Sequence, residues 1–215
     1  MTLNVCEIFF SLNGEGILIG IPTIFIRLSG CNLRCAWCDT QYAWEKGSEL
    51  SVEHIAESVQ EHDNGYCSWT LLTGGEPLLQ NTKSLIKRLH KNKYLVGMET
   101  NGSLYESYMK TCDFISVDLK PPSSGNETTD FTIFNKILKV IRKKSGQIKA
   151  VIADATDYEF VKEITSSQPI TVPVVLQPCW GKMTYEELCK FYFEDPLPLR
   201  HVLILTQIHK CGNIK

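Results

Sequence analysis

The stretch Gly30-Cys31-Asn32-Leu33-Arg34-Cys35-Ala36-Trp37-Cys38-Asp39-Thr40 decides how this chain is read. Three cysteines at spacing C-x3-C-x2-C follow an apolar run, Ile21 to Leu28, so three thiolates converge at the end of a predicted strand. Such a loop is suited to hold a metal centre. Iron–sulfur cubanes usually take four cysteine ligands, and the local motif supplies three. An iron without a protein ligand can bind a small molecule directly.

Two plainer readings compete. A structural zinc site wants four N/S ligands, usually as paired knuckles, yet Cys6, Cys67, Cys112, Cys179, Cys189 and Cys211 each stand alone. A disulfide framework belongs to short secreted chains with even cysteine counts, and this chain has nine. Met1-Thr2-Leu3-Asn4-Val5 lacks the basic start and apolar core of a signal peptide. The reading therefore expects a reducing, cytoplasmic setting.

At 215 residues the chain suits one well-buried domain, expected to span 1–215. Hydrophobic content of 43% with 21% charged residues is that of a globular protein. A net charge of −2 gives no electrostatic footprint for nucleic acid. No apolar run reaches the length of about 20 residues that spans a bilayer.

Working outward from the cysteines, strands are predicted at Val5 to Phe10, Pro22 to Leu28, Trp69 to Thr73, Tyr94 to Met98 and Phe114 to Val117. Further strands are predicted at Ile148 to Ile152, Val172 to Leu176 and Val202 to Leu205. Between them, helical spacing places Val52, Ile55, Ala56 and Val59 on one helix face, with Ser51 as N-cap and a stop near Asp63-Asn64-Gly65. The same spacing groups Leu85, Ile86 and Leu89; Phe134, Ile137, Leu138 and Ile141; Tyr158, Val161 and Ile164; and the helix Tyr185 to Phe193. A loop is predicted at Ser123 to Thr129.

Strands alternating with helices argue for βαβ units and a parallel sheet. About six repeats are too few for the eight-stranded barrel, so the fold class is α/β with an open, partial parallel (β/α)6-type barrel. Ligands in such sheets bind beyond the carboxyl ends of the strands. There fall the cysteine loop, Gly74-Gly75-Glu76, Glu99-Thr100-Asn101, Asp118-Leu119-Lys120 and Gln177.

The cysteine motif, with Trp37 before its last cysteine and Gly74-Gly75-Glu76-Pro77 one strand later, resembles the radical S-adenosylmethionine (SAM) superfamily. The resemblance implies a radical SAM barrel in which Cys31, Cys35 and Cys38 ligate a [4Fe-4S] cluster and the open iron chelates the amino and carboxylate groups of SAM. Reductive cleavage of SAM then releases a 5′-deoxyadenosyl radical. Backbone groups of Gly74, Gly75 and Glu76 are implied to hold the SAM amino group, and Trp37, Cys38 and Asp39 to line cluster and adenine. Ser116, Val117, Asp118, Lys120 and Gln177 match places where the family touches SAM. Residue by residue, a tight strand–helix turn, a core aromatic and solvated strand ends remain open alternatives.

Further residues narrow the resemblance. Ser11-Leu12-Asn13-Gly14-Glu15-Gly16, Arg27, Cys38-Asp39-Thr40, Lys120-Pro121-Pro122-Ser123-Ser124-Gly125 and Gln207-Ile208-His209-Lys210 together resemble the 7-carboxy-7-deazaguanine synthase family. That family is implied to convert 6-carboxy-5,6,7,8-tetrahydropterin to 7-carboxy-7-deazaguanine with loss of ammonia, toward queuosine or archaeosine. The radical would take the hydrogen at C6, the ring contracts, and the hydrogen returns to regenerate SAM.

Mg2+ is implied as well: a hard cation prefers oxygen ligands, so Thr40 Oγ with the substrate carboxylate forms a partial shell, against the alternative of a helix N-cap hydroxyl. Arg27 offers a planar donor fork for a carboxylate, or snorkels to solvent. Substrate contacts carry to Leu12, Asn13, Gly14, Glu15, Arg27, Thr73 and His209, and to Lys215 through its α-carboxylate. The implied partners are the pterin, an electron donor such as flavodoxin or ferredoxin, and a second copy in a homodimer.

A glycyl-radical activase shares C-x3-C-x2-C and a partial barrel but has no use for Thr40 with Mg2+ or for the Gly14-Glu15-Gly16 segment. A non-enzymatic electron carrier would normally supply a fourth cysteine. Neither it nor a zinc-binding module explains the glycine pair one strand later.

Overall fold

The computed structural model describes residues 1–45, 47–126 and 129–215; Glu127 and Thr128 of the predicted Ser123–Thr129 loop lie outside the described residues. The chain opens with β1 (Thr2–Leu12) and β2 (Pro22–Leu28), an antiparallel pair, and β3 (Ser48–Ser51) adds to the free side of β1. Then follow α1 (Val52–His62), β4 (Trp69–Gly74), α2 (Lys83–Lys91), β5 (Leu95–Thr100) and β6 (Phe114–Asp118). The second half comprises α3 (Phe131–Ile141), β7 (Ser145–Ile152), α4 (Ala155–Ser167), β8 (Val174–Pro178), α5 (Tyr185–Glu194), β9 (Val202–Ile204) and the short α6 (Ile208–Cys211).

Strand order is β3-β1-β2-β4-β5-β6-β7-β8-β9, and every pairing from β2 onward is parallel. The sheet stays open, with β3 and β9 at its edges. This is the expected partial barrel with three differences. β1 is longer than the apolar run Val5–Phe10 and runs antiparallel to β2, because a short connection between neighbouring strands permits no crossover. The β5–β6 connection carries only a 3₁₀ turn at Ser107–Thr111. β3 and α6 are too short for a periodic signal.

Helix entries follow the capping chemistry of the sequence. Ser51 accepts the His54 N–H at the start of α1, as its N-cap position predicts, and Thr184 with Glu187 closes a capping box on α5. Helices α1 to α5 cover one face of the sheet, where Leu72, Met98, Ile115, Val117, Ile148 and Val174 pack in one core with Ile55, Leu85, Phe134, Val161 and Leu188.

Period-two alternation turns the intervening residues to the other face. Registers align them across the sheet: Glu7 opposite Arg27, Arg27 opposite Thr73, Glu99 opposite Ser116, and Ser116 opposite Gln147. Thr73 Oγ1 donates to Glu99 Oε2 at 3.1 Å, and Gln147 Nε2 donates to Ser116 Oγ at 2.9 Å, so the row is also bonded through side chains. Toward the carboxyl ends, Asp118 pairs in register with Lys149. A polar floor is thereby built into the sheet. Among the described residues no helix is long and apolar enough to cross a membrane.

Candidate active site

Above this floor lies a cavity of about 390 Å³, within the usual range for small-molecule sites. Its wall includes Cys31, Cys35 and Cys38 from the loop after β2, with Trp37, Asp39 and Thr40 beside them. Thr73, Gly74 and Gly75 enter from the end of β4, Ser116 and Asp118 from β6 with Lys120 just beyond it, and Leu12 from the end of β1 with Asn13, Gly14 and Glu15 from the β1–β2 connection. Arg27, His209 and Lys215 complete the residues that the sequence singled out.

Three others stand outside the lining. Val117 alternates with Ser116 and Asp118, so its side chain joins the helix-facing core and only its backbone is available to a ligand. Glu76 is fully buried: its carboxylate accepts from Leu78 N at 3.0 Å, Thr100 Oγ1 at 2.9 Å and Asn101 N at 2.7 Å, bracing the β4 loop against the end of β5. Burial raises its pKa to about 7, against the pull of those donors. Gln177 is also fully buried, with Nε2 on the Thr206 carbonyl at 3.5 Å and Oε1 without a partner among the described residues.

The glycine pair answers to the chain itself. Gly74 has φ +131°, and a Cβ there or at Gly75 would run into the backbone of Leu28 or Gly30. Gly75 N donates to Leu28 O at 3.0 Å and Glu76 N to Gly30 O at 2.8 Å, so the β4 loop lies directly against the start of the cysteine loop.

The Gly14-Glu15-Gly16 segment folds onto the floor. Gly16 has φ +64°, and a Cβ there would meet the Gln147 amide, whose Oε1 instead accepts Ile17 N at 2.8 Å. At Gly14 a Cβ would strike the His209 ring, and Gly14 O accepts Ile208 N at 3.0 Å. Asn13 is buried and its Oδ1 accepts Glu15 N at 3.2 Å, which sets the turn. Glu15 then reaches Lys149 Nζ and Gln207 Nε2. Burial opposes its ionisation, but the Lys149 charge prevails and holds the carboxyl well below its usual range. Burial likewise opposes charge on Lys149, and Glu15, Asp118 and Glu99 outweigh it, leaving the ammonium more basic than usual.

Arg27 does not snorkel to solvent. Its side chain is 15% exposed, Nε donates to Glu7 Oε1 at 2.8 Å, and Cζ lies 5.7 Å from the Phe9 ring centre and 5.9 Å from that of Tyr42. A β-bulge between Val5 and Glu7 sets Glu7 directly opposite Arg27. Glu7 also accepts from Tyr42 Oη at 3.0 Å and pairs with Lys215 Nζ at 2.5 Å, while Lys215 O accepts Ser11 Oγ at 2.5 Å. Asp39 pairs with Lys210 Nζ at 2.6 Å, which ties α6 to the cysteine loop.

Thr40 precedes a 3₁₀ turn at Gln41–Trp44 but makes no side-chain cap; its Oγ1 lies 3.7 Å from Cys38 Sγ. Trp37 Nε1 donates to Ser123 Oγ at 3.0 Å, and Lys120 Nζ stands 4.9 Å from the Trp37 ring centre. Lys149 and Glu7 are not singled out by sequence, and Glu99 and Gln207 stand there only within longer stretches, with no role of their own. In β7 and β5 the available signal was a charged residue inside an apolar run.

The donor set suits a cluster rather than one ion. Cys31, Cys35 and Cys38 line one cavity, and the thiolates of a cubane each sit on a separate iron. A fourth cysteine, Cys179, lines the same cavity from the loop after β8, outside the motif. Asp118 Oδ1 is buried at the cavity wall with no partner among the described residues, an acceptor suited to a hydroxyl or ammonium group such as SAM carries.

A half-open parallel barrel with three clustered cysteines and an acceptor-lined cavity defines a radical SAM protein, and the Radical SAM superfamily model matches residues 25–174. The 7-carboxy-7-deazaguanine synthase of Methanospirillum hungatei is 33% identical over 211 residues, covering 97% of this chain and 84% of that protein. The Thermoplasma acidophilum protein of the same name is 36% identical over 180 residues, 82% of this chain and 83% of its own. The chain belongs to the 7-carboxy-7-deazaguanine synthase family of that superfamily. The crystal structure of QueE from Escherichia coli shares the fold, with a TM-score of 0.72 at 22% identity over 96% of this chain and 95% of that one.

Proposed function

We propose that this chain, read as one radical SAM core over 1–215, converts 6-carboxy-5,6,7,8-tetrahydropterin to 7-carboxy-7-deazaguanine with release of ammonia. The observation that carries the reading is Arg27, held through Nε by Glu7 in the same cavity as the three cysteines, so that its terminal nitrogens remain for a carboxylate. Cys31, Cys35 and Cys38 would hold a [4Fe-4S] cluster, and when bound it supplies one-electron cleavage of SAM, the source of a carbon-centred radical. Burial pushes the Cys31 thiol up, so metal binding would displace its proton.

The chain's own groups do the rest. Asp118, Ser116, Lys120 and the backbone at Gly74 and Gly75 would orient SAM, and Trp37 and Asp39 flank its side of the cavity; Gln177, fully buried outside that lining, would act only from behind the wall. Glu15, kept ionised by Lys149, accepts from the amide and amino edge of the pterin, with Leu12, Asn13, Gly14, Thr73, His209 and Lys215 around it. Thr40, whose hydroxyl caps no helix, would help hold Mg2+ together with the substrate carboxylate. A flavodoxin or ferredoxin in the cytoplasm delivers the electron, and two copies form the working homodimer. A glycyl-radical activase or an electron carrier is not favoured, because neither uses the Glu15–Lys149 floor.

Anaerobic reconstitution followed by incubation with SAM, dithionite, Mg2+ and the carboxypterin tests the reading. 7-Carboxy-7-deazaguanine is expected by mass and ultraviolet absorbance, lost in Cys35→Ala and weakened in Thr40→Ala. SAM cleavage without that product would keep the superfamily and discard the substrate.

A further inference from the structure

The Pro121–Asn126 loop after β6 grips the cysteine loop residue by residue. Ala36 N donates to Ser124 O at 2.9 Å, Trp37 Nε1 to Ser123 Oγ at 3.0 Å, and Arg34 N to Asn126 Oδ1 at 3.0 Å. Asn126 closes the set: its Nδ2 donates to Cys35 Sγ at 3.1 Å, with Ser124 O at 3.4 Å as a second acceptor. The amide's orientation follows from chemistry. A backbone N–H only donates, so the oxygen must face Arg34 and the NH2 group must face the sulfur.

The other contacts to the motif sulfurs are weaker. Cys31 Sγ receives Leu33 N at 3.4 Å and Asn101 Nδ2 at 3.9 Å, and Cys38 Sγ lies 3.7 Å from the Thr40 hydroxyl. Hydrogen bonds to cluster sulfurs disperse the negative charge that a reducing electron adds, and so favour the reduced form. We propose that Asn126 is a positioning residue that sets the cluster's reduction potential through its side-chain N–H to the Cys35 thiolate. One electron from a low-potential donor takes the cluster from its 2+ to its 1+ state, and the Asn126 donor makes that step easier without touching SAM or substrate. The inference rests on the cluster reading of the three cysteines and not on the pterin.

Asn126→Asp keeps an oxygen for Arg34 N while replacing the donor at Cys35 by a carboxylate; Asn126→Ala removes the donor without adding charge. Iron and sulfide content is read first, then the midpoint potential by EPR-monitored dithionite titration without SAM. Each variant is expected to load a full cluster and to shift its reduction equilibrium at least tenfold toward the oxidised form, about 59 mV for one electron. An unchanged potential in either loaded variant overturns the proposal. Variants that fold but hold no cluster also overturn it, in favour of a role in assembly. A native protein that holds no cluster instead refutes the cluster reading itself.

Discussion

Lys149, midway along β7, forms an ion pair with Glu15 of the β1–β2 connection, their side chains 8% and 17% exposed, and it also lies 3.9 Å from Asp118. The pair joins the first loop of the chain to the far half of the sheet. Two buried charges in contact are each affordable only because of the other.

Lys149→Met should therefore leave Glu15 buried and unpaired, at a cost of roughly 3–5 kcal/mol. The sign with pH follows from the depressed Glu15 carboxyl. Its stabilising contribution is complete above the unfolded value of about 4.3 and is lost as pH falls through the lower folded value. Urea unfolding at pH 7 should show the full difference between the two proteins, and the difference should shrink as pH falls below about 4. Equal stability at pH 7 would remove the pair from the fold's essential contacts.

Glu7 fixes which nitrogens Arg27 can offer. Glu7→Gln retains an acceptor for Nε but not its charge, and should raise KM for the carboxypterin on the order of tenfold, about 1.4 kcal/mol, with kcat within about twofold. Arg27→Lys, which loses the planar fork, should raise KM further. A fall in kcat at constant KM would place the pair in the chemistry instead.

Glu76 titrates in the opposite sense to Glu15. Burial raises its carboxyl to about 7, so the native state binds the extra proton and wild-type stability should fall by about 3 kcal/mol as pH rises from 4.5 through 7. Glu76→Gln removes that slope. It also sets an amide NH2 against a backbone N–H of Leu78 or Asn101, costing about 1–3 kcal/mol at low pH. Parallel stability–pH curves for the two proteins would contradict the assignment.

Asp157, fully buried at the start of α4, accepts from Ser123 N at 2.9 Å, Ser123 Oγ at 2.5 Å and Ala153 N at 2.8 Å. Ser123 in turn holds the Trp37 indole. Asp157→Ala should cost about 2–3 kcal/mol and change tryptophan near-ultraviolet dichroism in the metal-free protein. An unaltered spectrum would show that Trp37 is fixed by other contacts.

The strand Pro22–Leu28 and the helix capped by Ser51 were legible because local periodicity and capping act over a few residues. β3 and α6 were not, since four residues carry no period and are held only by their neighbours. In the site, the C-x3-C-x2-C loop and Gly14-Glu15-Gly16 could be read as motifs. Lys149, Glu7 and Asn126 could not: their partners lie 134, 20 and 91 positions away in the chain.

The sequence by itself determined the alternation of strands and helices, the cysteine triad and the polar strand ends, since all of these are carried by residues close together in the chain. Only the tertiary structure decided which glycines make room for backbone, that Val117 turns to the helices, and that Glu15 stays ionised on Lys149. Register and burial act between distant residues, and the charge state of a buried group depends on what the fold sets against it.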